Sequence, residues 1–306
     1  MRAVVLGAAA GGGFPQWNSD APACRRARQG DAAATPRTQA SVAVSADGKA
    51  WFLLNAAPDV RQQIEATPEL HPAGGVRCSP IAGVVLTGGD VDAIAGLLVL
   101  RERHAFTVSA PAPVLAVLAA NPIFDVLARD LVTRQVVALD TPTALRLPDG
   151  TESGLTLTLR AVPGKVPLYL EQDDAMPALA EDGRSVAAEI DDGHARLLFV
   201  PGCAAMTEAL AARLDGADLV LFDGTLWRDD EMLRAGIGRK TGRRMGHMSV
   251  SGPDGTIAAF AGIKVRQKVL LHINNSNPVL LADSPERAQA EAAGWIVAED
   301  GMRFAL

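Results

Sequence analysis

The sequence predicts an α/β protein in which two β-sheets pack face to face and helices cover the outer faces, an αββα sandwich. Three observations lead there. Short apolar runs of β type recur along the chain, clustered in the first half and alternating with helical patterns in the second. Several of the helical patterns open on Ser, Thr, Asp or Pro in their first turn. Polar and metal-capable residues follow predicted strand ends, where loops carry sites on a rigid scaffold. A purely parallel, doubly wound sheet would alternate strand and helix throughout, which this order does not.

Taken along the chain, the strand runs are 3–6, 40–45, 51–55, 83–86, 155–162, 197–200, 219–222 and 269–272. The helical runs are 60–66, 94–101, 113–120, 207–214, 253–261 and 285–293. The first ten residues carry one Arg and an apolar run ending in small residues, which reads as a signal peptide or as a buried strand. With about seven residues before Gly11 the run sits at the lower edge of a signal core, and the strand is the reading adopted. The first forty or so residues are rich in Ala, Pro and Gly, no internal repeat is visible and no linker interrupts the chain. The 306 residues are therefore expected to form one domain, 1–306.

Composition removes several function classes. Hydrophobic residues make up 48% of the chain, yet no stretch reaches the roughly 18 consecutive apolar residues of a membrane helix, so membrane insertion is not expected. Net charge is −6 and the 29 Lys and Arg are scattered, which leaves no stripe to track a phosphate backbone and no nucleic-acid partner. Cys24, Cys78 and Cys203 lie far apart and form no disulfide framework, as expected of a protein in the reducing cytoplasm.

Five places carry chemistry. Gly11, Gly12 and Gly13 follow the first strand, but Ala9 and Gln16 break any G-x-G-x-x-G register, so the segment is a tight turn or a ligand-contacting loop and no dinucleotide site. Asp90 and Asp92 sit in a loop between an apolar strand and a helix; either both turn toward one divalent metal or they cap the helix N-terminus. Asp223 ends a strand, as a metal-site neighbour or an ordinary Asp-Gly turn residue. His272 ends another and opens an Asn-rich turn with Asn274 and Asn275, and His247 lies in a loop as a proton donor, a ligand or a bystander. His71, His104 and His194 have no comparable company.

Together these segments resemble the PqqB family of the metallo-β-lactamase superfamily. The resemblance is carried by 11–18 (GGGFPQWN), 54–64 (LNAAPDVRQQI), 86–101, 162–168 (VPGKVPL), 201–203, 222–225, 240–247 (KTGRRMGH) and 272–280 (HINNSNPVL), in order and over nearly the whole chain. Superfamily hydrolases bind two zinc ions through H-x-H-x-D-H. Laid on this chain, that motif meets Gly88, Asp90, Asp92 and Ala93, so only Asp92 keeps its type. The family's altered form has a His after the second Asp, where this chain has Ala93 and has lost a ligand. The bridging Asp of a dinuclear site falls near Cys203 and the middle His near Gly164 or Lys165, which disfavours a two-zinc hydrolase.

The resemblance implies a metal held by Asp90, Asp92 and His272, with Fe(II) first and zinc second, a carboxylate and imidazole set suited to non-haem iron. The C-x-C-x-x-C that carries a structural zinc in many relatives is reduced to Cys24, so no structural zinc is expected. The function implied is iron-dependent hydroxylation of the tyrosine-derived ring of a pyrroloquinoline quinone (PQQ) precursor made from a Glu-Tyr cross-linked peptide. His247 and Asp223 would be its catalytic residues and Lys165, Lys240, Arg243, Arg244, Asn274 and Asn275 its substrate contacts. The alternative is a non-catalytic carrier of PQQ or its precursor toward the periplasm; a metallohydrolase ranks last. A homodimer is compatible with the sequence.

Overall fold

Residues 1–171 and 179–306 are described by the computed structural model. The first sheet contains β1 (Arg2–Gly7), β2 (Ser41–Ser45), β3 (Trp51–Leu54), β4 (Ile81–Val85), β5 (Phe106–Ala110) and β6 (Val132–Val136). The second holds β7 (Thr143–Arg146), β8 (Glu152–Ala161), β9 (Val186–Asp191), β10 (Arg196–Val200), β11 (Ala217–Asp223), β12 (Val265–Leu271) and β13 (Trp295–Val297). The last strand, β14 (Arg303–Ala305), returns to the first sheet beside β1. The orders are β14-β1-β2-β3-β4-β5-β6 and β7-β8-β9-β10-β11-β12-β13. Read in those directions, each sheet has three antiparallel pairings followed by three parallel ones. The two sheets are thus duplicates in topology, although the sequence shows no repeat.

Period-two alternation builds the layers. Val5, Val44, Phe199, Leu221 and Val269 point inward and form the core shared by both sheets. Their neighbours in sequence point out: Val4 and Leu6 pack under the helices Val60–Glu65 and Ala112–Ala120, and Leu198, Phe222 and Leu270 under Glu208–Leu214 and Pro285–Ala292. Each such buried aliphatic or aromatic side chain stabilises the fold by about 1.5–3 kcal/mol, before the entropy cost of ordering it.

All eight strands expected from sequence are present, and β1 is a buried interior strand, as its reading required. The run 94–101 starts earlier than expected and splits into an α-turn Val91–Ile94 and a 3-10 turn Ala95–Leu98. Gly96 explains the close packing there, since a Cβ on it would stand 2.2 Å from the Ala57 carbonyl oxygen. The run 253–261 contracts to Thr256–Ala259, and Pro22–Arg28, within the Ala- and Pro-rich stretch, is helical around buried Cys24 and Ala27. No helix among the described residues is long and apolar enough to cross a membrane.

The sheets are joined at one end. Ala9 bridges both Gln39 and Ile273, Gly88 bridges Ser185, and the Val186 N–H donates to the Thr87 carbonyl at 2.9 Å. The loops leaving β1, β4, β10, β11 and β12 all open at this joint, and their residues line a cavity of about 540 Å³.

Candidate functional site

Gly12 and Gly13 turn at φ of +91° and +73°, which only glycine adopts without strain, and Gly11 meets the cavity with Asp92 Oδ2 3.5 Å from where its Cβ would be. Both readings of this segment therefore hold, a tight turn and a cavity wall. Past the ends of β3 and β4 in the same sheet, Asn55 and Thr87 exchange two hydrogen bonds of 2.9 Å and fix the start of the 87–92 loop. Asp90 occupies the N-cap position of Val91–Ile94 without capping it: its Oδ1 accepts instead from the Leu168 N–H at 3.1 Å. Capping thus does not explain why Asp90 is an aspartate. Burial and the charge of Asp92 push the Asp90 carboxyl up.

Asp92 reaches across the cavity floor to His272, with 2.8 Å between Oδ2 and Nε2. His272 turns off the end of β12 at φ +56°, a left-handed conformation that costs a non-glycine residue roughly 1–3 kcal/mol and swings the imidazole into the cavity. Burial opposes charge on both partners. It is outweighed by their mutual hydrogen bond and attraction, so Asp92 is held below, and His272 above, their ordinary values.

Behind them lies Asp223, fully buried at the end of β11. Its Oδ1 accepts from the Thr225 N–H at 3.0 Å and the Thr225 hydroxyl at 2.6 Å; its Oδ2 accepts from the Cys203 N–H at 2.9 Å and stands 2.8 Å from His247 Nδ1. A carboxylate only accepts, so the short contact has the Thr225 hydroxyl donate to Asp223, and His247 donates from Nδ1. With its proton committed, Thr225 Oγ1 accepts from His272 Nδ1 at 2.8 Å and lies 3.1 Å from His247 Nδ1. One buried carboxylate therefore sets both imidazoles, directly and through a hydroxyl, and turns each Nε2 to other work. The two rings stack with centroids 5.2 Å apart.

Among the described residues, the metal-capable group whose ligand atoms all lie within 4.8 Å of one another is Asp223, His247 and His272. The expected set of Asp90, Asp92 and His272 shares the cavity wall, with Asp92 and His272 in contact, but of the three only His272 belongs to that group and both aspartates stand outside it. Because both Asp223 oxygens are already engaged by four donors, we read Asp223 as the orienting carboxylate of the group. Cys203, where a bridging Asp would stand, is no ligand in this state: burial and Asp223 push its thiol up to about 12, and it donates to the Ala205 carbonyl at 3.1 Å. At Gly164 a Cβ would sit 2.3 Å from Ser185 Oγ, so no imidazole fits there. Ala93 is buried and lines the cavity with its methyl group.

The expected substrate contacts divide. Lys165, Lys240 and Asn274 line the cavity; Arg243, Arg244 and Asn275 do not. Asn275 is buried with its amide donating to Gln16 Oε1 at 2.6 Å, a structural role that also receives the Cys24 thiol at 3.6 Å. Arg243 is exposed, and its backbone N–H donates to Asp229 at 2.7 Å. Thr225 and Glu171 were not anticipated. The signal for Thr225 was its place in the Asp-Gly-Thr strand end, and for Glu171 there was none. Glu171 pairs with Lys165 at 3.0 Å and also with Lys240.

Residues 50–273 match the family model described as beta-lactamase superfamily domain. The chain is 65% identical to a protein named coenzyme PQQ synthesis protein B from Gluconacetobacter diazotrophicus, over 98% of each chain. It is 56% identical to one of the same name from Gluconobacter oxydans, over 99% of this chain and 98% of that one. A crystal structure of Zn(2+)-bound PqqB from Methylobacterium extorquens superposes with a TM-score of 0.95 at 52% identity over all of both chains. A diphosphatase of the PhnP family shares the fold, with a TM-score of 0.67 at 19% identity over 99% of this chain and 97% of that one. The shared sandwich, the cavity at its joined end and the full-length identity together place this chain in the coenzyme PQQ synthesis protein B family of the beta-lactamase superfamily.

Proposed function

We propose that the chain acts in PQQ biosynthesis as an Fe(II)-dependent hydroxylase of the tyrosine-derived ring of a PQQ precursor. The names of its full-length relatives support the pathway. The observation that carries the chemistry is the 2.8 Å approach of Asp92 Oδ2 to His272 Nε2. Ligands at adjacent corners of an octahedron with bonds near 2.1 Å stand about 3 Å apart, so this pair fits one metal ion with little movement. The donor types fit as well: Asp92 and His272 would hold the ion, with Asp90 as a second carboxylate on the same wall, and like charges at Asp90 and Asp92 favour a cation between them. Iron held there would bind and activate dioxygen, and an external two-electron reductant would supply the electrons that let one oxygen atom enter the ring while the other leaves as water.

The chain's own residues supply the rest. His247, anchored through Nδ1 to Asp223, keeps Nε2 to take the proton of a ring hydroxyl, and the buried carboxylate stabilises the imidazolium formed. Lys165, Lys240 and Asn274 orient a substrate that carries carboxylates, and Leu168, Met232 and Met245 give its ring an apolar wall. In the test, full-length protein is loaded anaerobically with Fe(II) and then given dioxygen, ascorbate as the two-electron reductant and a tyrosine-like or dihydroxyphenylalanine-like diamino acid. Oxygen uptake and a product heavier by one oxygen are expected, lost in Asp92→Ala and His247→Ala. Iron-independent or absent uptake overturns the reading.

Ala93 favours a second reading. A methyl group stands where the family has an imidazole, so the ion is held by fewer ligands, as a carrier of PQQ or its precursor tolerates. Calorimetry distinguishes the two: PQQ binding of equal affinity with and without iron, and no oxidation, supports the carrier.

A further inference from the structure

We propose that Lys165 and Lys240 form a carboxylate-binding subsite of the cavity and that Glu171 is its built-in competitor, holding the two ammonium groups until a ligand carboxylate takes its place. The inference deepens the functional reading above and rests on it only for the ligand being an anion.

Three side chains make the subsite. Lys165 Nζ lies 3.0 Å from Glu171 Oε1, and Lys240 Nζ meets Glu171 Oε2, so one carboxylate bridges two cations. All three line the cavity, and their side chains are 11%, 24% and 12% exposed, too enclosed for water to screen the pair as it screens a surface ion pair. Among the described residues two ammonium groups share this one carboxylate as an ion pair, with Asp90 also near Lys165, and Arg239, on the same wall, has no ion-pair partner. A carboxylate brought by a ligand finds a positive site in the place of Glu171.

Geometry favours replacement. Lys165 also donates to the Val166 carbonyl at 3.1 Å, and Gly246 packs on its stem, with a Cβ there 3.3 Å from Lys165 Cγ. Lys165 is thus held in place, as a binding group should be. Glu171 stands at the end of the short turn Leu168–Leu170, which the Leu168 N–H on Asp90 and the Tyr169 hydroxyl on the Gly89 carbonyl at 2.7 Å tie to the cavity wall, but whose side chains are exposed. Between a fixed Lys165 and a carboxylate that extends past the anchored part of this turn, the carboxylate is the partner that yields. The neighbouring wall of Leu168, Met232 and Met245 selects an apolar body, so the ligand class is an aromatic carboxylic acid with more than one acidic group.

The test uses chelator-treated full-length protein and benzene-1,3,5-tricarboxylate as probe, with no turnover, so a failed oxygen assay and a failed subsite are separate results. By calorimetry Glu171→Gln is expected to bind the probe at least tenfold more tightly than the unsubstituted protein, and Lys165→Met and Lys240→Met at least tenfold more weakly. Benzene-1,3,5-trimethanol, of similar shape without charge, should respond to none of them. Unchanged or weaker probe binding by folded Glu171→Gln overturns the competitor, and unchanged binding by both lysine variants overturns the subsite. Should Glu171→Gln not fold, acylation of the unsubstituted protein decides: the probe should shield Lys165 and Lys240 from an amine-acylating reagent, and absence of shielding at both overturns the proposal.

Discussion

Replacing Thr225 by Val removes one hydroxyl and keeps the shape of the side chain. In the folded protein that hydroxyl donates to Asp223 Oδ1 at 2.6 Å and accepts from His272 Nδ1 at 2.8 Å, with Thr225 itself 4% exposed. The variant leaves the His272 Nδ1–H facing a methyl group and takes one of four donors from Asp223. An orphaned buried donor costs about 1–3 kcal/mol. At the entropy of unfolding usual for a chain of this length, 2 kcal/mol corresponds to a fall of about 3 °C in Tm. The larger effect falls on the metal, because a hydrogen bond that orients a ligating imidazole is worth about 10–100-fold in affinity. Competition against a chromophoric chelator should therefore show zinc or iron bound 10–100-fold more weakly by Thr225→Val, with Thr225→Ser recovering most of the loss. Nitrogen-15 shifts of His272 should show the Nδ1 proton losing its acceptor. If Thr225→Val binds metal within threefold of the unsubstituted protein while His272 keeps the same tautomer, the relay from Asp223 through Thr225 to His272 is not what orients the ring.

Three further outcomes are expected. Ala93→His places an imidazole at a buried position on the cavity wall beside Asp92; chelator competition should show tighter metal binding by about tenfold or more, at a cost of roughly 1–3 kcal/mol in metal-free stability from crowding a buried site. In metal-free protein His272 is held above its ordinary 6.5 and Asp92 below its ordinary 3.8, so the pair stabilises most between those values. Urea midpoints should fall as the pH rises through the raised histidine value, fall again as it drops through the lowered aspartate value, and stay flatter in His272→Gln. Phe222→Ala, which empties the contact with Phe260 at 5.0 Å and Trp295 at 6.5 Å, should cost about 3–5 kcal/mol, read as a Tm lower by roughly 5–8 °C, and a change under 1 kcal/mol would mean that this cluster does not anchor the strand carrying Asp223.

The strands legible in the sequence are those whose two faces are both covered. β10, β11 and β12 read as continuous apolar runs because inward residues such as Leu221 meet the other sheet while outward ones such as Phe222 meet helices. The strands that escaped are of two kinds. β6, β7, β13 and β14 lie at sheet edges, where exposed residues such as Val136 and Arg303 break the pattern. β5 and β9 are interior: β5 interleaves Thr107 and buried Ser109 with its apolar residues, and β9 is Ala-rich and carries Glu189, whose buried charge argues against a strand until Arg160 at 2.9 Å and Arg213 at 3.3 Å, brought by other elements, are seen to pair with it. The topological duplication of the sheets was invisible for a related reason: strand direction is a property of the connections, and the two halves share no residue pattern.

The site divides in the same way. Asp92 and His272 could be picked out because each follows an apolar run and is of a type that binds metals, and His247 because its imidazole lies in the 240–247 segment that carries the resemblance. What sequence could not assign is rank. Asp223, Asp90 and Asp92 are the same residue type in similar loops. Only the fold shows that Asp223 is buried with four donors on it, that Asp90 takes a single backbone donor and that Asp92 faces an imidazole. A carboxylate whose acceptor sites are filled orients its neighbours, and one with a charged partner and open sites can exchange that partner for a cation. The same distinction separates the cations. Lys165 and Lys240 line the cavity beside Glu171, whereas Arg243, in the same 240–247 segment as Lys240, is exposed and does not line it. Spacing along the chain names the groups that can act; saturation of their hydrogen bonds decides which of them hold still while the others react.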